Sequence, residues 1–213
     1  MQSIVVLDYG MSNLRSVAKA LECVCADKCR VVVTNRAEEL LKADRIVFPG
    51  QGAIGQCMAN LKRLNLVEAL AVCVRSKPYL GICLGLQSIM DSSEEDEGTA
   101  GLGLVPGNVV RFPDNACDRK GQRCKIPHMG WNHVVRRREH PLWRDIDPGA
   151  RFYFVHSYFV VPRRSEDTAA VTEHALEFAS AVARDNLFAV QFHPEKSQRA
   201  GLQLLRNFTE WRP

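Results

Sequence analysis

The sequence predicts an α/β fold, an open mixed sheet with a mostly parallel core flanked by helices and with antiparallel additions. In the first half, short apolar runs alternate with segments of helical periodicity, the rhythm of parallel strands joined by crossover helices. After about residue 100 the texture turns to β-rich segments, which favours antiparallel additions. A length of 213 residues, with 46% apolar and 24% charged side chains, supports a packed core and one domain over 1–213.

Residues 4–7 form an unbroken apolar run that reads as a buried strand. Asn13 is a residue type that caps helices, here one whose apolar face is Leu14, Val17, Ala18 and Leu21. Strands are expected over 30–34 and 46–48, the latter ending in the glycine-rich turn Pro49-Gly50-Gln51-Gly52. Leu61, Leu64, Val67, Leu70 and Ala71 recur at helical spacing and predict one helix over 57–74. A fourth strand, 79–82, runs straight into Cys83. Further β-rich segments cover 104–112, 131–135, 152–160, 170–174 and 189–192, and an amphipathic helix over 198–208 closes the chain through Leu202, Leu205 and Phe208. The polar stretches 92–101 and 114–121 read as exposed loops.

The 28 basic and 24 acidic residues leave a net charge of +4, too weak a surplus to point to nucleic acid without a clustered patch. Arg136 to Arg138 and the pair Arg163-Arg164 lack aromatic interleaving and read as solvated faces. The opening MQSIVVLDYG has four consecutive apolar residues before an aspartate, too few for a signal peptide or a membrane span, so a cytoplasmic chain without a membrane partner is expected. In that reducing compartment the eight cysteines stay thiols, most of them small core residues. Cys23, Cys25 and Cys29 lack CxxC spacing, and Cys117, Cys124 and His128 match no common zinc spacing, so neither metal nor cofactor is expected.

The sharpest chemical signal is Gly81-Ile82-Cys83-Leu84-Gly85, a strand ending in a cysteine with glycine two residues to either side, the layout of a nucleophile elbow. Side chains at the flanking positions would collide with so tight a turn, and the start of a helix favours the thiolate. A thiolate nucleophile needs a base, and the base an orienting acceptor. His193 and Glu195, just after the apolar strand 189–192, are the candidates, with Pro194 stiffening the turn between them. Gly50 to Gly52, Cys83 and His193 all fall at the carboxyl ends of expected strands, where open α/β sheets gather their active groups. The amides of Gln51 or Gly52, with that of Leu84, are candidates for an oxyanion hole.

Gly81-Ile-Cys-Leu-Gly-Leu-Gln87 together with His193-Pro-Glu195 resembles the class I (triad) glutamine amidotransferases. Further segments resemble one branch of that family, the glutaminase subunits of imidazole glycerol phosphate synthases. They are Phe48-Pro-Gly-Gln-Gly-Ala-Ile-Gly55, Ser92-Ser-Glu-Glu95, Gly101-Leu-Gly-Leu-Val-Pro-Gly107, Lys125-Ile-Pro-His-Met-Gly-Trp-Asn132, Phe152-Tyr-Phe-Val-His-Ser-Tyr158 and Gln191-Phe-His-Pro-Glu-Lys-Ser197. The chain departs at Gln51, where the family usually has a small aliphatic residue, and at Ala53-Ile54, which replace the more usual aromatic. A backbone donor would survive both changes.

The resemblance implies the family's fold and glutamine as substrate. It makes Cys83 the nucleophile, His193 the acid–base and Glu195 its orienting partner, with glutamine contacts at Gln87, Glu95, Ser157 and Tyr158. It also implies a heterodimer with a TIM-barrel cyclase subunit that receives the ammonia for histidine biosynthesis. Met129 and Trp131 suit the core of such an interface, and Asn13, Tyr153 and Lys196 are expected near that face. Two alternatives stand beside this reading: a paralogous subunit supplying ammonia for amidino-sugars of surface polysaccharide, and a non-catalytic scaffold subunit.

Overall fold

The computed structural model of the chain describes residues 1–11, 13–26, 28–117 and 121–213. Within the expected loop 114–121, Asp118, Arg119 and Lys120 therefore lie outside the described residues.

The first half runs β1 (Gln2–Leu7), α1 (Leu14–Cys25), β2 (Cys29–Thr34), α2 (Ala37–Lys42), β3 (Arg45–Gly50), α3 (Ile54–Arg63), α4 (Val67–Ser76), β4 (Tyr79–Cys83) and the single turn α5 (Leu84–Gln87). The second half continues with β5 (Ser92–Ser93), β6 (Thr99–Ala100), β7 (Gly107–Arg111), β8 (His128–His133), β9 (Val135–Arg136) and β10 (Arg151–His156). It ends with β11 (Tyr158–Pro162), β12 (Thr168–His174), β13 (Leu176–Arg184), β14 (Leu187–Val190) and α6 (Gln198–Glu210).

The fold is the expected α/β class. Strands β2, β1, β3, β4 and β14 lie side by side and parallel. β13, β11 and β7 extend this core in antiparallel fashion, β5 and β6 finish that edge, and β12 pairs with both β13 and β9. β8 and β10 form a separate antiparallel ladder. Every residue of β3, β4 and β14 is buried, which is why these strands read as continuous apolar runs: helices cover both faces. Alternation along β1 sends Ile4 and Val6 to the face packed by Val17 and Leu21 of α1 and Leu205 and Phe208 of α6. Val5 and Leu7 face Leu40, Leu61 and Leu70 from α2, α3 and α4.

Several expectations need correction. The single helix over 57–74 is two, α3 and α4, because the chain breaks at Asn65, whose φ of 54° leaves the helical region. Asn13 precedes α1 without a capping hydrogen bond from its side chain. The stretch 152–160 is divided at Ser157, with β10 in the small ladder and β11 in the main sheet; likewise the expected strand 131–135 is β8 and β9 in different sheets. The loop 92–101 contains the short paired strands β5 and β6. α2 is too short for periodicity to register, and the alanine-rich β13 carries a weak strand signature. Only half of the cysteines, Cys25, Cys57, Cys73 and Cys83, are buried. Cys25 and Cys29 form a disulfide rather than two thiols, since the turn from α1 to β2 leaves their Cα atoms 5.6 Å apart, within bridging range. The arginines read as solvated faces need no such correction: Arg137, Arg138, Arg163 and Arg164 are exposed, and on that surface Arg137 pairs with Glu177, Arg138 donates to the Glu166 and Ala183 carbonyls, and Arg163 and Arg164 pair with Asp91 and Glu166.

Candidate active site

Strand register assembles the site. Gly50 of β3 pairs with Cys83 of β4, and Val190 of β14 pairs with Ile82. The Gly50-Gln51-Gly52 turn, Cys83 and the segment from Gln191 to His193 therefore leave the sheet together at its carboxyl edge, the place where such sheets hold ligands. Cys83 has φ 55° and ψ −106°, a conformation that non-glycine residues rarely adopt and that points to strain at a functional position. The flanking glycines are steric necessities. A Cβ on Gly85 would collide with the Phe48 carbonyl, and one on Gly81 would sit 2.7 Å from the Gly85 carbonyl oxygen.

His193 and Glu195 flank Pro194 at the turn after β14, with His193 Nδ1 2.8 Å from Glu195 Oε1. A carboxylate oxygen accepts, so Nδ1 carries the proton and Nε2 is the nitrogen free to exchange one. Both side chains are almost wholly buried, at 5% and 3% exposure. Burial by itself disfavours a charged imidazole, but the neighbouring Cys83 and then Glu195 outweigh it and raise the His193 pKa to about 10. The His193 backbone is clamped as well. Its N–H donates to the Tyr153 carbonyl at 2.9 Å, while the buried Ser197 hydroxyl donates to the His193 carbonyl at 2.6 Å and accepts from Tyr153 N–H at 3.0 Å.

A cavity of about 310 Å³, of the size small-molecule sites have, opens in front of Cys83 and His193. Every binding residue named from the sequence lines it: Gln51, Gly52, Leu84, Gln87, Glu95, Ser157 and Tyr158. Glu195 stands behind His193 instead. One Glu95 oxygen accepts from the Ile54 N–H at 2.9 Å, which anchors this carboxylate at the start of α3, and burial raises its pKa. Gln87 Nε2 donates to the Tyr158 carbonyl at 3.0 Å and to Gln191 Oε1 at 3.1 Å. Sequence reasoning missed Pro127, Val155 and His156 in the lining, and Gln191, whose Nε2 donates to Cys83 Sγ at 3.6 Å. The signal for Gln191 was present: it stands two residues before His193 at the end of a strand adjoining the elbow.

The outer face of the β8–β10 ladder adjoins this cavity through Val155. On it, Met129 is 62% and Trp131 41% exposed, which excludes an ordinary core role for either. Trp131 pairs with Tyr153 across the ladder, their rings edge-on at 6.1 Å, and Lys196 Nζ lies 5.9 Å from the Tyr153 ring centroid. Asn13, exposed, leads α1, which packs beside the turn bearing Lys196.

The family model for glutamine amidotransferase class-I matches residues 5–211. The chain belongs to the class-I glutamine amidotransferases. Among proteins of this family, the chain is 54% identical to imidazole glycerol phosphate synthase subunit HisH of Nitrosococcus oceani, over 99% of the chain and 98% of that protein. It is likewise 54% identical to the protein of the same name in Nitrosospira multiformis, over the full length of both. In fold, this amidotransferase is similar to a putative GMP synthase protein from Thermoplasma acidophilum, with a TM-score of 0.68 at 20% identity, covering 99% of this chain and 93% of that one. A glutamine amidotransferase from Thermotoga maritima superposes with the same TM-score at 14% identity, covering 98% and 96%.

Proposed function

We propose that this single-domain amidotransferase is the glutaminase subunit of an imidazole glycerol phosphate synthase. It hydrolyses glutamine to glutamate and ammonia and passes the ammonia to a TIM-barrel cyclase subunit in the cytoplasm. The observation that carries the reading is that Cys83 and His193, distant in sequence, meet at one cavity lined by Gln87, Glu95, Ser157 and Tyr158, with Glu195 bonded to His193 behind it. Cys83 Sγ, its proton passed to His193 Nε2, attacks the side-chain carboxamide carbon of glutamine, with the oxyanion met by the amides of Leu84 and of Gln51 or Gly52. His193 gives its Nε2 proton to the departing nitrogen, the C–N bond breaks, and a γ-glutamyl thioester remains. Water, deprotonated by the same nitrogen, attacks the thioester; the C–S bond breaks, glutamate leaves, and the Nε2 proton returns to the sulfur to restore the thiol. Glu95 pairs with the α-ammonium of glutamine. Met129, Trp131, Tyr153, Lys196 and Asn13 form the face that receives the cyclase.

The test is Cys83→Ala in the complex with the cyclase. Glutamine-dependent synthesis is expected to vanish and synthesis from added ammonium salt to persist, since only ammonia generation uses the thiol. Loss of both, or survival of both, overturns the assignment.

A further inference from the structure

We propose that Gln191 orients the Cys83 sulfur, and that its aim is set from the exposed β8–β10 ladder through a buried hydrogen-bonded chain containing the His128–His156 pair. This rests on the glutaminase reading and extends it, making Gln191 a further side chain on the nucleophile and His128 and His156 positioning residues.

The chain is unbroken. Gln191 donates to Cys83 Sγ at 3.6 Å and accepts from Gln87 at 3.1 Å, and the second hydrogen of the Gln87 amide goes to the Tyr158 carbonyl at 3.0 Å. That carbonyl also faces His156 Nδ1 at 2.7 Å, His156 Nε2 lies 2.9 Å from His128 Nδ1, and Asn132 Nδ2 reaches His128 Nε2 at 3.2 Å. Chemistry sets every direction along it. A carbonyl only accepts, so His156 holds its proton on Nδ1 and its Nε2 accepts from His128 Nδ1; the remaining nitrogen of His128 then accepts from Asn132. Both rings must be neutral, and burial, with His174 close by, holds both pKa values down to about 3 even though the Tyr158 bond opposes this at His156.

Neither ring position is loose. His128 is stacked between Phe154, at 4.7 Å, and His174, at 4.1 Å. Gln87, His128, His156 and Gln191 are all buried, with only Gln87 and His156 bordering the cavity, so a bond lost within the chain leaves polar groups largely desolvated. Met129, next after His128, is exposed on the face proposed for the cyclase, and Ser157 and Tyr158, next after His156, line the cavity. A shift of the ladder is thus passed to the sulfur by directional bonds. An amide held on the sulfur restrains it to the side of the cavity from which it attacks.

Kinetics of glutamine hydrolysis in the assembled complex test the proposal. Gln191→Met, nearly isosteric and without donor or acceptor, is expected to lower kcat about tenfold with KM changed by less than about threefold. Iodoacetamide modification of the Cys83 peptide, followed by mass spectrometry, slows in parallel. His156→Asn keeps an N–H toward the Tyr158 carbonyl and severs the link to His128. It is expected to lower kcat as well, and the double variant to be no slower than Gln191→Met alone, because both cut one chain. Melting curves verify folding; should Gln191→Met not fold, Gln191→Asn, which withdraws the same amide by one methylene, replaces it. An unchanged kcat, a rise in KM alone, or multiplied losses in the double variant overturn the proposal. Glutamine turnover surviving in Cys83→Ser would instead defeat the underlying glutaminase reading, so the two failures are distinguishable.

Discussion

Glu195 accepts a 2.8 Å hydrogen bond from His193 Nδ1 across a turn of only two residues, and both side chains are almost wholly buried. The carboxylate therefore sets the ring's tautomer and supports its positive charge at once. Glu195→Gln keeps the size but removes the charge and allows the amide N–H to face the ring, favouring the wrong tautomer. We expect kcat for glutamine hydrolysis to fall by roughly 10² to 10⁴ while ammonium-dependent synthesis in the complex persists. A loss of less than about threefold would show that Glu195 does not orient the base.

Gly85→Ala is expected to unfold the elbow. Its Cβ would enter the Phe48 carbonyl, an atom of the adjacent, wholly buried strand β3, so no side-chain rotation relieves the clash. Overpacking of this kind costs about 1 to 3 kcal/mol, and more against backbone. Chemical denaturation measures it, and a midpoint equal to that of the parent chain would mean that β3 and α5 are less rigidly apposed than their contact implies.

Acid should weaken the fold ahead of its carboxylates. Folding depresses His156 and His128 to about 3 and His140 to about 4, mainly through burial. Above the ordinary histidine value near 6.5 both folded and unfolded chains leave these rings neutral, and stability is intact. As pH falls below it, only the unfolded chain takes up protons, so stability declines until the folded values are reached; for His156 the slope is at most about 1.4 kcal/mol per pH unit. His193 has the opposite sign: its raised value contributes stability at neutral pH that is lost as pH climbs toward 10. Urea midpoints between pH 7.5 and 4.5 should drop less steeply in His156→Asn than in the parent; equal slopes would contradict the assignment.

Trp131→Ala should loosen the cyclase complex without disturbing the isolated chain. The indole is 41% exposed and touches Tyr153 edge-on, so truncation removes contact area from the outer face rather than from the core. An aromatic anchor at an interface is worth about 2 kcal/mol or more, or roughly thirtyfold in Kd. Titration calorimetry reads the affinity, and an unchanged Kd would place the partner elsewhere.

The parallel half of the fold and the elbow were legible along the chain because their causes are local. Strands buried on both faces need continuous apolar runs, as over 46–48 and 79–82, and a cysteine in a sterically closed turn needs glycine at 81 and 85. The readings that failed turn on where the backbone changes direction. Asn65 divides one apolar helical pattern into α3 and α4, Ser157 divides one β-rich run between two sheets, and Cys25 meets Cys29 only once α1 turns back into β2.

The linear order of residues determined which groups have the chemistry: a thiol between glycines, an imidazole two residues from a carboxylate, and apolar side chains on a β-ladder. Tertiary structure alone decided who meets whom. Pairing of Gly50 with Cys83 and of Val190 with Ile82 brings three chain segments to one edge, and the packing of β8 on β10 joins His128 to His156. Hydrogen bonds between residues tens of positions apart depend on strand register, and register is chosen by the burial of whole faces rather than by any single residue.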